Sequence, residues 1–288
     1  MAEITVERIP DLHDPVAVIA FSGWNDAATA ATDAARFVIN RLSGRKFASI
    51  DAESFYSFTD SRPHAEIAAT GERRIAWQKN EFFYARNPAG PHDVIVSVGV
   101  EPNLRWRSFA AAHVELYRKL QPSLVISLGA LLAEVPHTRP TRVTGTAADP
   151  AVAARLELTT SRYQGPTGIV GVLHDALRKD GVAAASLWAN TPHYITTSQN
   201  PIATQALLTR LQEMVGVRFD FSELRTAGER FVNEVNTALS ANREVASYVA
   251  RLEEAYDRGQ LDETEPELPS ATEAISDIED FLRRNRPS

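Results

Sequence analysis

Apolar residues in the first 220 positions form short blocks that alternate with longer stretches of mixed polarity. Blocks such as 16–21 and 124–128 are typical of buried strands, because they are short and are followed by glycine. In the longer stretches apolar residues recur every three or four positions, which predicts amphipathic helices. This pattern predicts strands at 16–21, 47–58, 74–86 (with room for a hairpin turn near 79–80), 93–99, 124–128, 141–146 and 183–189, and helices at 27–42, 104–120, 165–181 and 202–215.

Strands that alternate with helices of this length indicate an α/β fold in layers, with a largely parallel sheet. We therefore predict that residues 1–220 form an α/β core domain. In such sheets ligands bind beyond the carboxyl ends of the strands, so the loops that follow the predicted strands are the first place to look for function.

The pattern changes after residue 220. From Leu224 to Tyr256 apolar residues follow alternating steps of four and three, which is a heptad-like seam. Gly228 and Asn242 interrupt it, so one long helix and two shorter ones are both open. We predict a helical C-terminal extension over 221–288, with an acidic linker at 257–269 and a last helix after the capping box Ser270–Glu273. The seam is too apolar to face water, so it should pack on the core or on a second subunit, in a protein that is not a monomer.

Charge and composition exclude several classes of protein. The net charge is −7, and residues 252–281 hold eleven carboxylates against Arg258 alone. Basic residues form no cluster, so we expect no nucleic-acid partner. No apolar run approaches the ~18–20 residues of a membrane span, and no secretory signal is readable, so we expect a cytoplasmic protein without a membrane partner. Cysteine is absent, which excludes disulfides and cysteine-ligated metals.

Two predicted strands end in a proline–histidine pair, in "VPHTRP" (135–140) and "TPHY" (191–194). Proline restricts the backbone on both sides, so each histidine would be held in place. Arginine and histidine together favour an anion, such as a phosphate, a carboxylate or an acidic side chain. We predict an anion-accepting crevice at the strand ends, with Asn25 and Asp26 at its floor. Its candidate residues are Trp24, Asn25, Asp26, Arg62, His64, Arg105, His137, Arg139, His193 and Tyr194.

Each candidate also has a structural interpretation. Asn25 and Asp26 stand where a helix cap is expected, and both proline–histidine pairs could be rigid turns. His113 and His174 share helix faces with leucine and valine, which favours packing. No spacing of the HExxH type supports a metal site, and no nucleophile motif is present, so we expect no metal and no cofactor and leave catalytic residues unassigned.

Seven ordered motifs carry a resemblance to a known family: "GWNDA", "DSRPHAE", "EPNLRW", "GALLAEVPHTRPT", "YQGPTGIVGVL", "SLWANTPHY" and "DIEDFLRR". The chain resembles the actinobacterial branch of the proteasome assembly chaperone 2 (PAC2) family. The resemblance implies a three-layer α/β sandwich with a twisted sheet, similar to the purine nucleoside phosphorylase/hydrolase fold, and homo-oligomers. It also implies either an assembly chaperone or, from another label used in the family, an ATP-dependent carboxylate–amine ligase. Chaperones of the family dock on the proteasome through a hydrophobic–tyrosine–any-residue tail, whereas this sequence ends in Asn285-Arg286-Pro287-Ser288.

Two functions are therefore expected from the sequence. The first is a non-enzymatic protein-interaction or assembly factor, because tryptophan, tyrosine and arginine dominate binding hot spots. The second is an enzyme or small-molecule binder that uses the same crevice. A closed cavity of ~300 Å³ or more would favour the second, and a flat exposed patch the first.

Overall fold

The computed structural model describes residues 4–195, 199–240 and 243–260. Its strands are β1 (Ile4–Val6), β2 (Val16–Ser22), β3 (Arg45–Ile50), β4 (His64–Ile67), β5 (Arg73–Ala76), β6 (Asn80–Ala85), β7 (Val94–Val100), β8 (Leu124–Ala133), β9 (Val143–Ala147), β10 (Thr159–Thr160) and β11 (Ala184–Pro192). Its helices are α1 (Ala30–Arg41), α2 (Trp106–Leu120), α3 (Pro150–Arg155), α4 (Ile169–Lys179), α5 (Pro201–Val215), α6 (Ser222–Ser240) and α7 (Arg243–Asp257).

Nine of these strands form one mixed sheet, in the order β1-β3-β6-β7-β2-β8-β11-β9-β10. The four central strands β7, β2, β8 and β11 are parallel to one another. The pairs β1–β3, β3–β6, β6–β7 and β9–β11 are antiparallel. The parallel strands therefore occupy the centre of the sheet, where both faces are covered, as expected for this type of pairing.

Helices cover both faces of the sheet, which confirms the three-layer α/β sandwich. Along β2, Val16, Val18 and Ala20 pack into the apolar cluster that contains α1 and α5. The intervening Ala17 and Ile19 pack into the second cluster, which contains α2 and α4. This alternation explains why β2 is apolar at nearly every position, since neither of its faces meets water.

Two predicted strands differ from the structure. The strand expected at 47–58 ends at Ile50. The hairpin expected near Lys79 does not form, because β5 pairs with β4 through a turn at 68–72, while β6 pairs with β3 and β7. Gly71, at φ +84°, allows that turn. Strand propensity alone could not show which neighbour each short strand chooses.

The seam after residue 220 forms two helices, α6 and α7, rather than one. Phe231, Val235, Val249 and Leu252 are buried between the helices and contact Tyr194 of the core. The expectation that the seam packs on the core is therefore confirmed. The division into two domains stays a prediction, and the linker beyond 260 and the helix after Ser270 lie outside the described residues. In the described part of the chain no helix is long and apolar enough to cross a membrane.

Candidate functional site

The histidine at the exit of β8 is bound within the protein. The backbone N–H of His137 donates to the Tyr194 hydroxyl (2.9 Å), and that hydroxyl lies 2.8 Å from His137 Nδ1. Nε2 lies 2.9 Å from Asn236 Oδ1 on α6. The network fits a neutral ring that accepts from the tyrosine at Nδ1 and donates to the asparagine at Nε2–H. Burial lowers the pKa of His137, which favours the same neutral form.

The arginine of the same exit already has two anionic partners. Arg139 binds both carboxylate oxygens of Asp257 at 2.8 Å and one of Glu253 at 3.2 Å. Both acids belong to α7. The hydrogen bonds from Arg139 lower the pKa of Asp257 below its usual value. Close by, Tyr256 donates to the carbonyl of Pro140 (2.9 Å).

The exit of β11 faces the same two helices. His193 Nδ1 lies 3.1 Å from the carbonyl of Ala133, and Nε2 lies 3.4 Å from the Tyr248 hydroxyl on α7. Tyr194 is only 1% exposed. We call His137, Arg139, His193 and Tyr194 the strand-exit clamp, because all four contact the C-terminal helices α6 and α7.

The structure does not bring the ten predicted residues into one crevice. Asp26 is separate from the clamp: its carboxylate accepts from Ala31 N (2.7 Å), Thr32 N (3.3 Å) and the Thr32 hydroxyl (2.5 Å), and so caps α1. Burial raises the pKa of Asp26 although these bonds lower it. The expected floor of Asn25 and Asp26 beneath the histidines is therefore wrong. Asn25 and Trp24 line a large cavity, whereas His137 lines a separate small recess.

Arg62, His64 and Arg105 lie elsewhere on the surface. Arg105 is exposed, and its guanidinium lies 5.5 Å from the centre of the Phe55 ring. His64 begins β4 of the hairpin that β4 and β5 form outside the main sheet, and Arg62 lies in the loop just before it. These three residues therefore contribute to neither the clamp nor the cavity.

One face of this hairpin carries two exposed isoleucines. Because side chains alternate across a strand, the opposed pairs Ala65–Ile75 and Ile67–Arg73 share one face, while Glu66 and Arg74 pair on the other. The exposed fractions are 78% for Ile67 and 48% for Ile75. Trp77, 47% exposed, follows β5 and packs edge-to-face against Phe58. We call Ile67, Ile75 and Trp77 the hairpin patch.

The large cavity has a volume of about 400 Å³ and lies at the carboxyl ends of β2, β8 and β11. Its floor is one face of the sheet. Trp188 stands opposite Thr144 of β9 and Gly129 of β8, and Ser186 stands opposite Thr146. A Cβ atom at position 129 would lie 2.3 Å from the Trp188 ring, so only glycine leaves room for the indole to lie there.

The cavity wall is formed by the loop 161–168 and α4. Asn25 is 5% exposed, lines the cavity, and its Nδ2 has no hydrogen-bond partner among the described residues. A Cβ atom at position 168 would lie 2.3 Å from that nitrogen, so the Asn25 amide fits here only because residue 168 is glycine. Glu101 accepts from the first N–H of α4, at Ile169 (2.8 Å), and fixes the helix start beside the amide.

A chain of hydroxyl and imidazole groups runs from the floor to α4. Ser186 Oγ lies 2.9 Å from Ser127 Oγ, which lies 3.0 Å from His174 Nε2. Burial lowers the pKa of His174 to about 4, so the ring is neutral at pH 7. His174, which the sequence suggests is a packing residue, also lines the cavity. His113, which is fully buried among aromatic rings, is confirmed as a packing residue.

Sequence reasoning missed most of the cavity residues. The block 183–189 is apolar apart from Ser186, but Ala185, Leu187 and Ala189 enter the core while Ser186 and Trp188 between them face the cavity. The period-two alternation in "SLWAN" could have shown this. Among residues 4–195, 199–240 and 243–260, no group of three histidine or acidic side chains is placed to hold a metal ion.

The model of the PAC2 family matches residues 20–239 of the chain. The protein belongs to the PAC2 family. The match runs from β2 to the end of α6, so it includes the cavity, the clamp and most of the core. Among curated proteins, none matches this PAC2 chain.

Several solved structures are similar. A PAC2 family protein from Streptomyces avermitilis is 41% identical over 82% of this chain and 100% of its own, with a TM-score of 0.75. A proteasome-assembly chaperone homologue from Mycobacterium tuberculosis is 37% identical over 81% of this chain and 99% of its own, with a TM-score of 0.73. The archaeal proteasome activator PbaB from Pyrococcus furiosus, at 18% identity and a TM-score of 0.66 over 83% and 99% of the two chains, shares the fold.

Proposed function

We propose that this PAC2 protein is a protein-binding assembly factor and that the hairpin patch is one of its contact surfaces. The proposal rests on the patch itself. A two-stranded hairpin alone is marginally stable in water, and here Ile67 and Ile75 are exposed on one face of it. Exposed clusters of isoleucine and tryptophan are typical of protein-binding surfaces.

The family supports the same function. The Mycobacterium tuberculosis relative is described as a proteasome-assembly chaperone homologue. Assembly factors act by binding other proteins or further copies of themselves, and either partner would cover Ile67, Ile75 and Trp77. The predicted homo-oligomer and the predicted protein partner are both forms of this proposal.

The strand-exit clamp has a different role in it. The anion that Arg139 was expected to accept is supplied by the protein's own α7, through Glu253 and Asp257. The clamp therefore holds the C-terminal helices on the core, and an external acidic ligand would have to compete with two carboxylates already in place. We assign the clamp to architecture and the hairpin patch to partner binding.

Site-specific photocrosslinking tests the proposal. A photoreactive phenylalanine analogue replaces Ile67 in one version of the protein and Arg155, an exposed residue of α3, in the control. After irradiation in a cell extract, the Ile67 version should give discrete adducts, either with a partner or with a second copy. Ile67→Asp should abolish capture by a crosslinker at Ile75. If the Ile67 version and the Arg155 control give the same adducts, or if neither of them gives any, the hairpin patch is not a contact surface.

A second candidate function, binding of a small molecule, is favoured by the cavity. Its volume of about 400 Å³ lies within the range of ~300–1,000 Å³ that ligand sites occupy. Filling it should block binding without touching the hairpin. Thr144→Trp, which adds an indole on the floor opposite Trp188, should abolish any small-molecule binding and leave crosslinking at Ile67 intact.

A further inference from the structure

The cavity offers hydrogen bonds that nothing in the described protein uses. The Asn25 amide is nearly buried, and its Nδ2 has no partner among the described residues. A buried polar group left unpaired is costly, and one at the lining of a cavity is placed where a ligand can supply the missing partner. The backbone at Asn25 is also held in place. Its backbone carbonyl accepts from Ala130 N (2.9 Å), and the side chain of the next residue, Asp26, accepts from α1.

Three aromatic residues line the same cavity as this amide. Trp188 rises from the floor, and Trp24 and Tyr163 line the walls. The Tyr163 hydroxyl is occupied by the carbonyl of Pro166 (2.8 Å), so the ring itself is the part offered to a ligand. Flat aromatic surfaces on several sides of one space suit a planar ring, which gains stacking contacts on its faces.

The remaining polar groups are uncharged or already paired. Thr144, Thr146 and Ser186 offer hydroxyls, and His174 offers a neutral imidazole. The two charged residues at the cavity, Asp175 and Arg178 of α4, pair with each other at 2.9 Å, and Asp175 also binds Lys179. The described lining therefore offers no unpaired charge to a ligand.

We infer that the cavity binds an uncharged, planar heteroaromatic compound with a hydrogen-bonding edge, of the size of a nucleobase or nucleoside. The ring would stack on Trp188, and its edge would pair with the Asn25 amide. The hydroxyls on the β9 side would face any attached sugar. This inference rests on the second candidate function, small-molecule binding, and names its ligand class.

Binding is measured by isothermal titration and by quenching of tryptophan fluorescence. The probes are adenine, adenosine, inosine, uridine, adenosine monophosphate, ribose and inorganic phosphate. We expect heat and quenching with at least one base or nucleoside, weaker binding with the monophosphate, and none with ribose or phosphate alone. Trp188→Leu should weaken binding roughly tenfold or more by removing the stacking surface. Asn25→Ala should weaken it roughly three- to tenfold by removing the amide.

Two further variants keep the test decisive if these fold poorly. Thr144→Val keeps the shape and removes one hydroxyl, and should weaken nucleosides more than free bases. Arg139→Ala, in the strand-exit clamp, should leave the affinity within twofold. If ribose, phosphate or the monophosphate binds best and Trp188→Leu abolishes that binding, the ligand class is wrong while small-molecule binding stands. If no probe binds at millimolar concentration, or if the variants bind as the wild type does, the site itself is refuted.

Discussion

The strand-exit clamp and the cavity both use residues of β8 and β11 or of the loops that follow them, yet only the cavity contains a buried side-chain donor without a described partner. In the clamp His137, Arg139 and Tyr194 all have partners on α6 or α7, or on one another. In the cavity the Nδ2 atom of Asn25 has none among the described residues. The comparison teaches that residue types alone do not mark a binding site. A histidine–arginine loop that looks suited to an anion can be saturated by the protein's own helices.

The largest effect should come from placing a charge in the contact between the clamp and the helices. Val235 of α6 is 7% exposed and packs with Tyr194. Val235→Asp should lower the free energy of unfolding by roughly 3–5 kcal/mol or release α6 and α7, because an aspartate there has no partner. Urea denaturation measures it, with Glu234→Ala on the exposed face as control. Equal stability of the two variants would contradict the packing described here.

Acid should destabilise the protein through its two buried histidines. The pKa of His113 and that of His174 are each lowered to about 4, against 6.5 in the unfolded chain. The folded state therefore binds fewer protons, and stability falls as the pH drops from about 6.5 towards 4. Each histidine contributes at most about 1.4 kcal/mol per pH unit. His174→Gln should remove about half of this slope in denaturation curves. An unchanged slope would show that the ring at the cavity is not shielded from water.

The hydroxyl of Tyr194 in the clamp should contribute more to the free energy of unfolding than the hydroxyl of Tyr163 at the cavity. Tyr194→Phe leaves the buried N–H of His137 without its acceptor and should cost about 1–3 kcal/mol. Tyr163→Phe removes a bond at an exposed loop of the cavity and should cost less than about 0.5 kcal/mol. Chemical denaturation of both variants measures the difference. Equal losses of unfolding free energy would mean that the Tyr194 bond in the clamp stabilises the protein no more than the Tyr163 bond in the loop.

The smallest effect should be local. Arg139→Ala removes the bonds to Glu253 and Asp257 at a partly exposed site, where ion pairs contribute little to global stability. We expect faster hydrogen exchange confined to α7 and almost no change in melting temperature. Because the folded pKa of Asp257 is depressed, its contribution should be present above pH 3.8 and be lost as the pH falls below that value. A large loss of melting temperature at pH 7 would contradict this.

The layered fold was predictable because its strands and helices have strong and distinct periodicities. Loops at the carboxyl ends were predictable as well, since a parallel centre sends them to one edge. The contacts that each loop makes were not predictable. The partners of Arg139 lie more than a hundred positions away on α7, and no local pattern shows that distance. The cavity was hidden for a related reason, because its floor becomes visible only when β8, β11 and β9 are placed side by side in register.

Hydrogen–deuterium exchange, with and without a saturating nucleoside that binds in titration, tests the comparison most directly because it shows both regions in one measurement. We predict that the ligand slows exchange in the loop 161–168, in α4 and in β11. Exchange in the clamp loop 137–142 and in α7 should stay unchanged. Protection of 137–142 and α7 without protection of 161–168 would contradict the account, because the clamp would then be the binding site and the cavity would not.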